Sequence, residues 1–139
     1  MERNTERIVI TELDSVRLEA LRRRSATAPA RGIGSPLDEL LEEAVVVPAR
    51  EVAEDVVTMH SRVLLRDPQT GATRTVTLCY PADSSPAAGF VSVLSPMGMG
   101  LLGRSLGSVA RWRCPTGEER AAQIAALLFQ PEAQGDYVT

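Results

Sequence analysis

Residues Leu94 to Gly103 read LSPMGMGLLG. Three glycines, a proline and two methionines interrupt an apolar run too short for an ordinary helix, in the middle of sequence patterned as strands. Glycine costs a helix or strand about 0.5–1 kcal/mol relative to alanine, so this density marks places where the backbone approaches something closely. The strand FVSVL (90–94) is expected to turn onto a single helical turn at 98–103 that plugs one side of a curved sheet. Pro96 fixes the exit φ, Gly98 and Gly100 permit close backbone approach, Leu101 and Leu102 form the plug, and Gly103 ends the turn. Ser95, Pro96 and Met97 are left over at the lip.

Working outward, the flanking segments alternate with period two. MHSRVLLRD (59–67) and TRTVTLCY (73–80) flank PQTG and read as a β-hairpin, with Val76, Leu78 and Tyr80 set against Thr75, Thr77 and Cys79. SVARWRC (108–114) and ERAAQIAALLFQ (119–130) read as two more strands joined by PTG. The second is alanine-rich enough for a helix, but the turn before it suits a hairpin that closes the sheet.

Upstream the period changes to that of a helix. RIVI (7–10) suits a short edge strand. TELDSVRLEALRRR (11–24) carries Leu13, Val16, Ala20 and Leu21 at helical spacing, with Thr11 as N-cap, acids early and Arg22, Arg23 and Arg24 late. SPLDELLEEA opens with Ser35 as N-cap and Pro36 at the first helical position, and Leu37, Leu40, Leu41 and Ala44 give one apolar face. The two helices read as a short antiparallel hairpin over 11–46, about 20 Å long. Segment 45–57 reads as a transition, broken at Pro48. The fold class is therefore α+β: an N-terminal helical hairpin (1–47) followed by a strongly curved antiparallel sheet domain with one short helix (48–139).

Composition narrows the chemistry. The 139 residues carry a net charge of −3, which argues against a general grip on nucleic-acid phosphates or anionic membrane. No run reaches the ~18 apolar residues of a membrane span and no signal-peptide pattern opens the chain, so a cytoplasmic protein is expected. All 15 basic residues are arginine, which excludes a Schiff-base or P-loop lysine. Cys79 and Cys114 lack a CxxC neighbour and read as buried thiols; His60, the one histidine, reads as a turn or edge residue. No catalytic, metal-ligating or cofactor-binding set emerges.

The order of helical hairpin, sheet, SPMGMGLLG and LGSVARWRCPTG resembles the C-terminal FKBP-like domain of the bacterial Gre transcript-cleavage factors, in which a Ser-Pro-x-Gly-x-Ala-Leu-Leu-Gly segment leads into a strand and a Pro-x-Gly hairpin. The short hairpin, DVVTMHSRV, TLCYPAD and QPEAQGDYVT are similar to the regulator of nucleoside diphosphate kinase (Rnk) family within that group. This sequence departs from those patterns at Gly100, His60 and Ser108. The resemblance implies an N-terminal coiled coil and a monomeric, non-enzymatic transcription regulator. Its lip, Leu94, Ser95, Pro96, Met97 and Gly98, would dock on RNA polymerase near the secondary channel, without sequence-specific DNA binding.

In the cleavage factors a long hairpin carries paired acids to a catalytic Mg²⁺, which needs carboxylate and water oxygens. The turn here, RRRSATAPARGIG, offers Arg22, Arg23, Arg24 and Arg31 instead. Asp38 and Glu39 fall in the first turn of the second helix, where capping and the helix dipole account for them. The expectation is a factor that competes with Gre proteins at the polymerase without stimulating cleavage. The alternatives are a Gre-like cleavage stimulator and, with few aromatics to line a pocket, an FKBP-type peptidyl-prolyl isomerase.

Overall fold

The computed structural model describes residues 8–25, 36–114 and 116–135. Within them the chain is mixed α+β, with a curled five-stranded sheet, a two-stranded sheet and three α-helices. Strand β1 (Val9–Thr11) runs directly into α1 (Glu12–Ser25), and α2 (Pro36–Glu43) runs into β2 (Val45–Val47). β1 and β2 pair in parallel, Val9 beside Val45 and Thr11 beside Val47. Segment 45–57 is thus not a simple transition: Val45–Val47 is a strand and Ala49–Glu51 a 3₁₀ turn.

Thr11 caps α1 as expected, its hydroxyl accepting the Asp14 N–H at 3.0 Å, although it is also the last residue of β1. The buried stripe differs from the expected one. Val16 is 66% exposed, whereas Asp14, Leu18 and Leu21 are buried, spaced i, i+4 and i+7. On α2, Leu37 and Leu40 are buried and Leu41 is half-buried. The expected cap Ser35 lies outside the described residues, and α2 spans 8 residues, shorter than the hairpin arm the sequence suggested.

The larger sheet has the order β5-β4-β3-β7-β6, from β3 (Arg62–Arg66), β4 (Thr73–Cys79), β5 (Phe90–Ser92), β6 (Val109–Arg113) and β7 (Glu119–Phe129). The β3–β4 hairpin is closed by Asp67, whose Oδ1 accepts from Gln69 N at 2.8 Å and Thr70 N at 3.2 Å. β7 is a strand along its whole length. Two register shifts in the β3–β7 ladder, at Arg62/Val63 and Leu64/Leu65, bend the sheet. The sheet is not wholly antiparallel, because β5 runs parallel to β4. The 81–89 loop between them, with its two 3₁₀ turns, carries the chain back to start in the same direction.

Helix α3 (Pro96–Leu101) begins two residues earlier than expected, at Pro96, behind the Ser95 cap. It lies across the inner face of the sheet. Leu101 and Leu102 are fully buried in one core with Ile10, Leu18 and Leu40 from the N-terminal elements and Val63, Leu78 and Ile124 from the sheet. The glycines answer the question raised by the sequence. A Cβ on Gly98 would strike the Ser92 carbonyl at the end of β5. One on Gly100 would sit 3.1 Å from the Arg111 carbonyl of β6. Gly103, at φ +83°, lies against Ile8 and Val9 at the start of β1. Its N–H donates to the Val57 carbonyl at 2.8 Å and its carbonyl accepts from Val9 N at 3.2 Å.

Gly103 and Gly107 both hold positive φ, but a Cβ at Gly107 meets nothing within 4 Å. Gly107→Ala should therefore cost about 1–2 kcal/mol from backbone strain alone. Gly103→Ala adds overpacking against Ile8 and Val9 and should cost at least about 1 kcal/mol more. Urea denaturation of the two variants measures the difference, and equal losses would mean that Ile8 and Val9 are free to yield.

Candidate functional site

The lip and the polar floor beneath α1 are the two places where side chains converge. At the lip, Ser95 is a structural joint: its Oγ accepts the Gly98 N–H at 3.0 Å and donates to the Ser92 carbonyl at 2.7 Å. The Ser92 hydroxyl in turn accepts the Leu94 N–H at 3.0 Å. Leu94 and Met97 are half-buried and packed on the core, Gly98 is buried, and Pro96 is the residue of this group that is exposed. The sequence treats Leu94–Gly98 as one surface, but the structure turns only the Pro96 ring and the edges of Leu94, Ser95 and Met97 outward.

The arginine group is distributed along the end of α1. Arg22 pairs with Glu19 one turn back, at 2.8 Å, and Arg23 is exposed. The Arg24 side chain and all of Arg31 lie outside the described residues, as does the Asp38 side chain; Glu39 is exposed on α2. Among the described residues no group of three or more His, Cys, Asp or Glu could hold a metal ion. Burial pushes the Cys79 thiol up, and its Sγ lies 3.5 Å from the Val91 carbonyl; Cys114 is only half-buried, not a core thiol.

The second convergence has no counterpart in the sequence reading. Asp14, 3% exposed, aims Oδ2 at the Met59 N–H, 3.2 Å away, tying α1 to the tight turn at 58–61. His60 completes that turn at φ +72°, with its ring edge-on to Tyr80 at 5.6 Å. Thr58 Oγ1 donates to Glu132 Oε1 at 2.7 Å, which leaves Ser61 Oγ to donate to Thr58 Oγ1 at 3.0 Å while accepting the Thr58 N–H at 2.8 Å. Burial drives the Asp14 carboxyl up to about 6, with the Glu132 carboxylate adding to the shift and Met59, Thr11 and Arg17 opposing it. Burial, and then the charge of Asp14, also holds the Tyr80 hydroxyl protonated far above its ordinary range. The one hint in the sequence is the Thr-x-x-Asp spacing, which equally describes an exposed capping box.

With this geometry in view, the relationships to known proteins are unambiguous. Residues 52–128 match the family "Transcription elongation factor, GreA/GreB, C-term". The regulator of nucleoside diphosphate kinase of Escherichia coli K12 is 37% identical over 131 residues, covering 94% of this chain and 96% of that protein. The chain belongs to the Rnk branch of the GreA/GreB family. Another relative, the transcription inhibitor protein Gfh1 of Thermus aquaticus, is 34% identical over 116 residues, covering 82% of this chain and 71% of Gfh1. Among solved structures, the transcription elongation factor GreA/GreB from Nitrosomonas europaea superposes with a TM-score of 0.71 at 32% identity, over 88% of this chain and all of that one. These relatives are named as regulators and transcription factors. The family match begins at Val52, so it contains the 58–61 turn, Tyr80 and the lip but not Asp14.

Asp14 carries a measurable consequence. Its folded-state value near 6 lies above the unfolded value of 3.8, so the native protein binds the extra proton between those values. Unfolding free energy should therefore fall as pH rises from about 4 to about 6, by roughly 3 kcal/mol from this group. Asp14→Asn, which keeps an oxygen for the Met59 N–H, should flatten that slope and be at least as stable as the parent above pH 7. An unchanged slope in denaturant titrations would assign the pH dependence to other groups.

Proposed function

We propose that this protein binds RNA polymerase at the rim of the secondary channel and competes there with Gre-type factors without stimulating transcript cleavage. In this reading residues 1–47 form a short coiled-coil hairpin and residues 48–139 an FKBP-like docking domain, and the protein works as a cytoplasmic monomer without a cofactor. The surface that meets the polymerase is the lip of Leu94, Ser95, Pro96 and Met97, seated on Gly98. The exposed Pro96 ring leads, and the thioether of Met97 adapts to the partner.

The observation that carries the reading is a family match joined to a missing chemistry. The GreA/GreB family covers 52–128, yet residues 26–35, which separate the two helices in the sequence, contain no carboxylate. A Mg²⁺ ion in a polymerase active site would gain no oxygen ligand from that segment, and Arg22, Arg23, Arg24 and Arg31 around it add like-charge repulsion. Reach acts in the same direction. The 14 residues of α1 span about 21 Å and the 8 of α2 about 12 Å. A relative named as a transcription inhibitor supports the view that a protein of this family can act to restrain transcription.

Core polymerase should retain the purified protein, and a GreA-type factor should displace it. Pro96→Asp should weaken retention at least about tenfold, the loss of one well-packed contact of roughly 1.4 kcal/mol, with the far-UV circular dichroism unchanged. Backtracked complexes should show no added cleavage. An Ala28→Asp/Pro29→Glu variant separates the two causes: cleavage gained would make chemistry limiting, and none would make reach limiting. Cleavage by the unaltered protein that disappears in Asp38→Ala and Glu39→Ala would overturn the reading.

A further inference from the structure

We infer that the solvent face of the five-stranded sheet binds a single-stranded polynucleotide, with arginines taking phosphates and phenylalanines stacking bases. This inference is independent of the polymerase-docking reading. Strand register builds the face. Phe90 sits beside Thr77, Thr77 beside Arg62, and Arg62 beside Phe129, so one row crosses β5, β4, β3 and β7. Paired residues on adjacent strands share a face, and the row spans three strand spacings, about 14 Å. Val63, Val76 and Val91, the neighbours along the strands, are buried, which fixes this row as outward.

Phe90 and Phe129 are each 40% exposed, which leaves part of two aromatic side chains open on this face. Between them stands Arg62, and a parallel row across the same face carries Arg66 beside Gln123. Arg111 extends the cationic stripe onto β6, beside Ala121 of β7. Among the described outward residues of these strands Glu119 is the one carboxylate, and it is paired with Arg113 at 2.9 Å. The net charge of −3 is thus unevenly placed: Glu39, Glu42, Glu43, Glu51 and Glu54 are exposed on α2 and the turn after β2. A surface with cations, two aromatic faces and a floor of small side chains such as Ala121 and Ala126 suits flat bases joined by phosphates better than it suits an interdigitating protein surface.

The test is fluorescence anisotropy with labelled oligouridylate and oligothymidylate of about twelve nucleotides, using a duplex of equal length as control. Both single strands should bind, because stacking and phosphate contacts do not read the 2′-OH, and the duplex should not. Three arginines on a single strand predict a salt slope near −2, so affinity should fall roughly twentyfold between about 50 and 200 mM salt. Phe129→Ala should weaken binding about tenfold with the slope unchanged. Arg62→Glu should weaken it by at least as much and lower the slope by about 1. Both positions are exposed, and matching thermal midpoints verify folding. The inference is overturned if neither single strand binds, if the duplex binds equally well, or if only Arg22→Ala and Arg23→Ala reduce binding. It is also overturned if Arg62→Glu abolishes retention by core polymerase while no oligonucleotide binds, which would assign the face to an acidic protein.

Discussion

The peptide at Gly103 holds the molecule together. Its N–H reaches Val57 in the segment that leads into β3 and its carbonyl takes the N–H of Val9 at the start of β1, so one residue joins the N-terminal elements to the approach to the sheet. Both bonds exist because the chain passes within van der Waals range of Ile8 and Val9, which a side chain at 103 would prevent. Val57 N returns a bond to the Arg104 carbonyl at 2.8 Å, and Val45 N bonds the Ile8 carbonyl at 2.7 Å, so the tie continues into β2. Leu101 and Leu102 precede it with fully buried side chains, and loss of either would cost about 2–5 kcal/mol. The position of α3, and with it the lip, follows from this crossing.

The Asp14 contact is the polar complement of that tie. A carboxyl buried under a helix costs stability when ionised, yet here it satisfies the Met59 N–H of a strained turn that also carries a positive-φ His60. Thr58, Ser61 and Glu132 fix the other side of the turn, so α1, the 58–61 turn and the chain after β7 meet around one set of hydrogen bonds. The sheet and the helices are thereby given a defined relative position.

Local pattern carried most of the fold. The β3–β4 hairpin and the β6–β7 pair were legible from alternation and turn chemistry, and α2 from Pro36 and the leucine spacing. Long-range pairing was not. Val45–Val47 is too short to declare itself, and its partner β1 lies beyond two helices in sequence. The parallel β5 depends on how the 81–89 loop returns, which no residue in FVSVL reveals. Val16 fits a helical stripe as well as Leu18 does, and only the burial of Leu18 in the core shared with α2 and β1 decides between them. At the site, the Ser-Pro motif located the lip, but the capping bonds of Ser95 and the burial of Gly98 needed coordinates. Asp14 reads as an ordinary first-turn acid, and the arginine–phenylalanine row exists only once the register of four strands is known.

Native-state hydrogen exchange at Val9, Val57 and Gly103 tests the central claim, that the Gly103 crossing locks the helical elements and the sheet into one cooperative unit. The three amides should exchange with the same free energy, equal to that of global unfolding measured by denaturant. Exchange of Val9 through a separate, lower-energy opening, with Val57 and Gly103 still protected to the global limit, would contradict it.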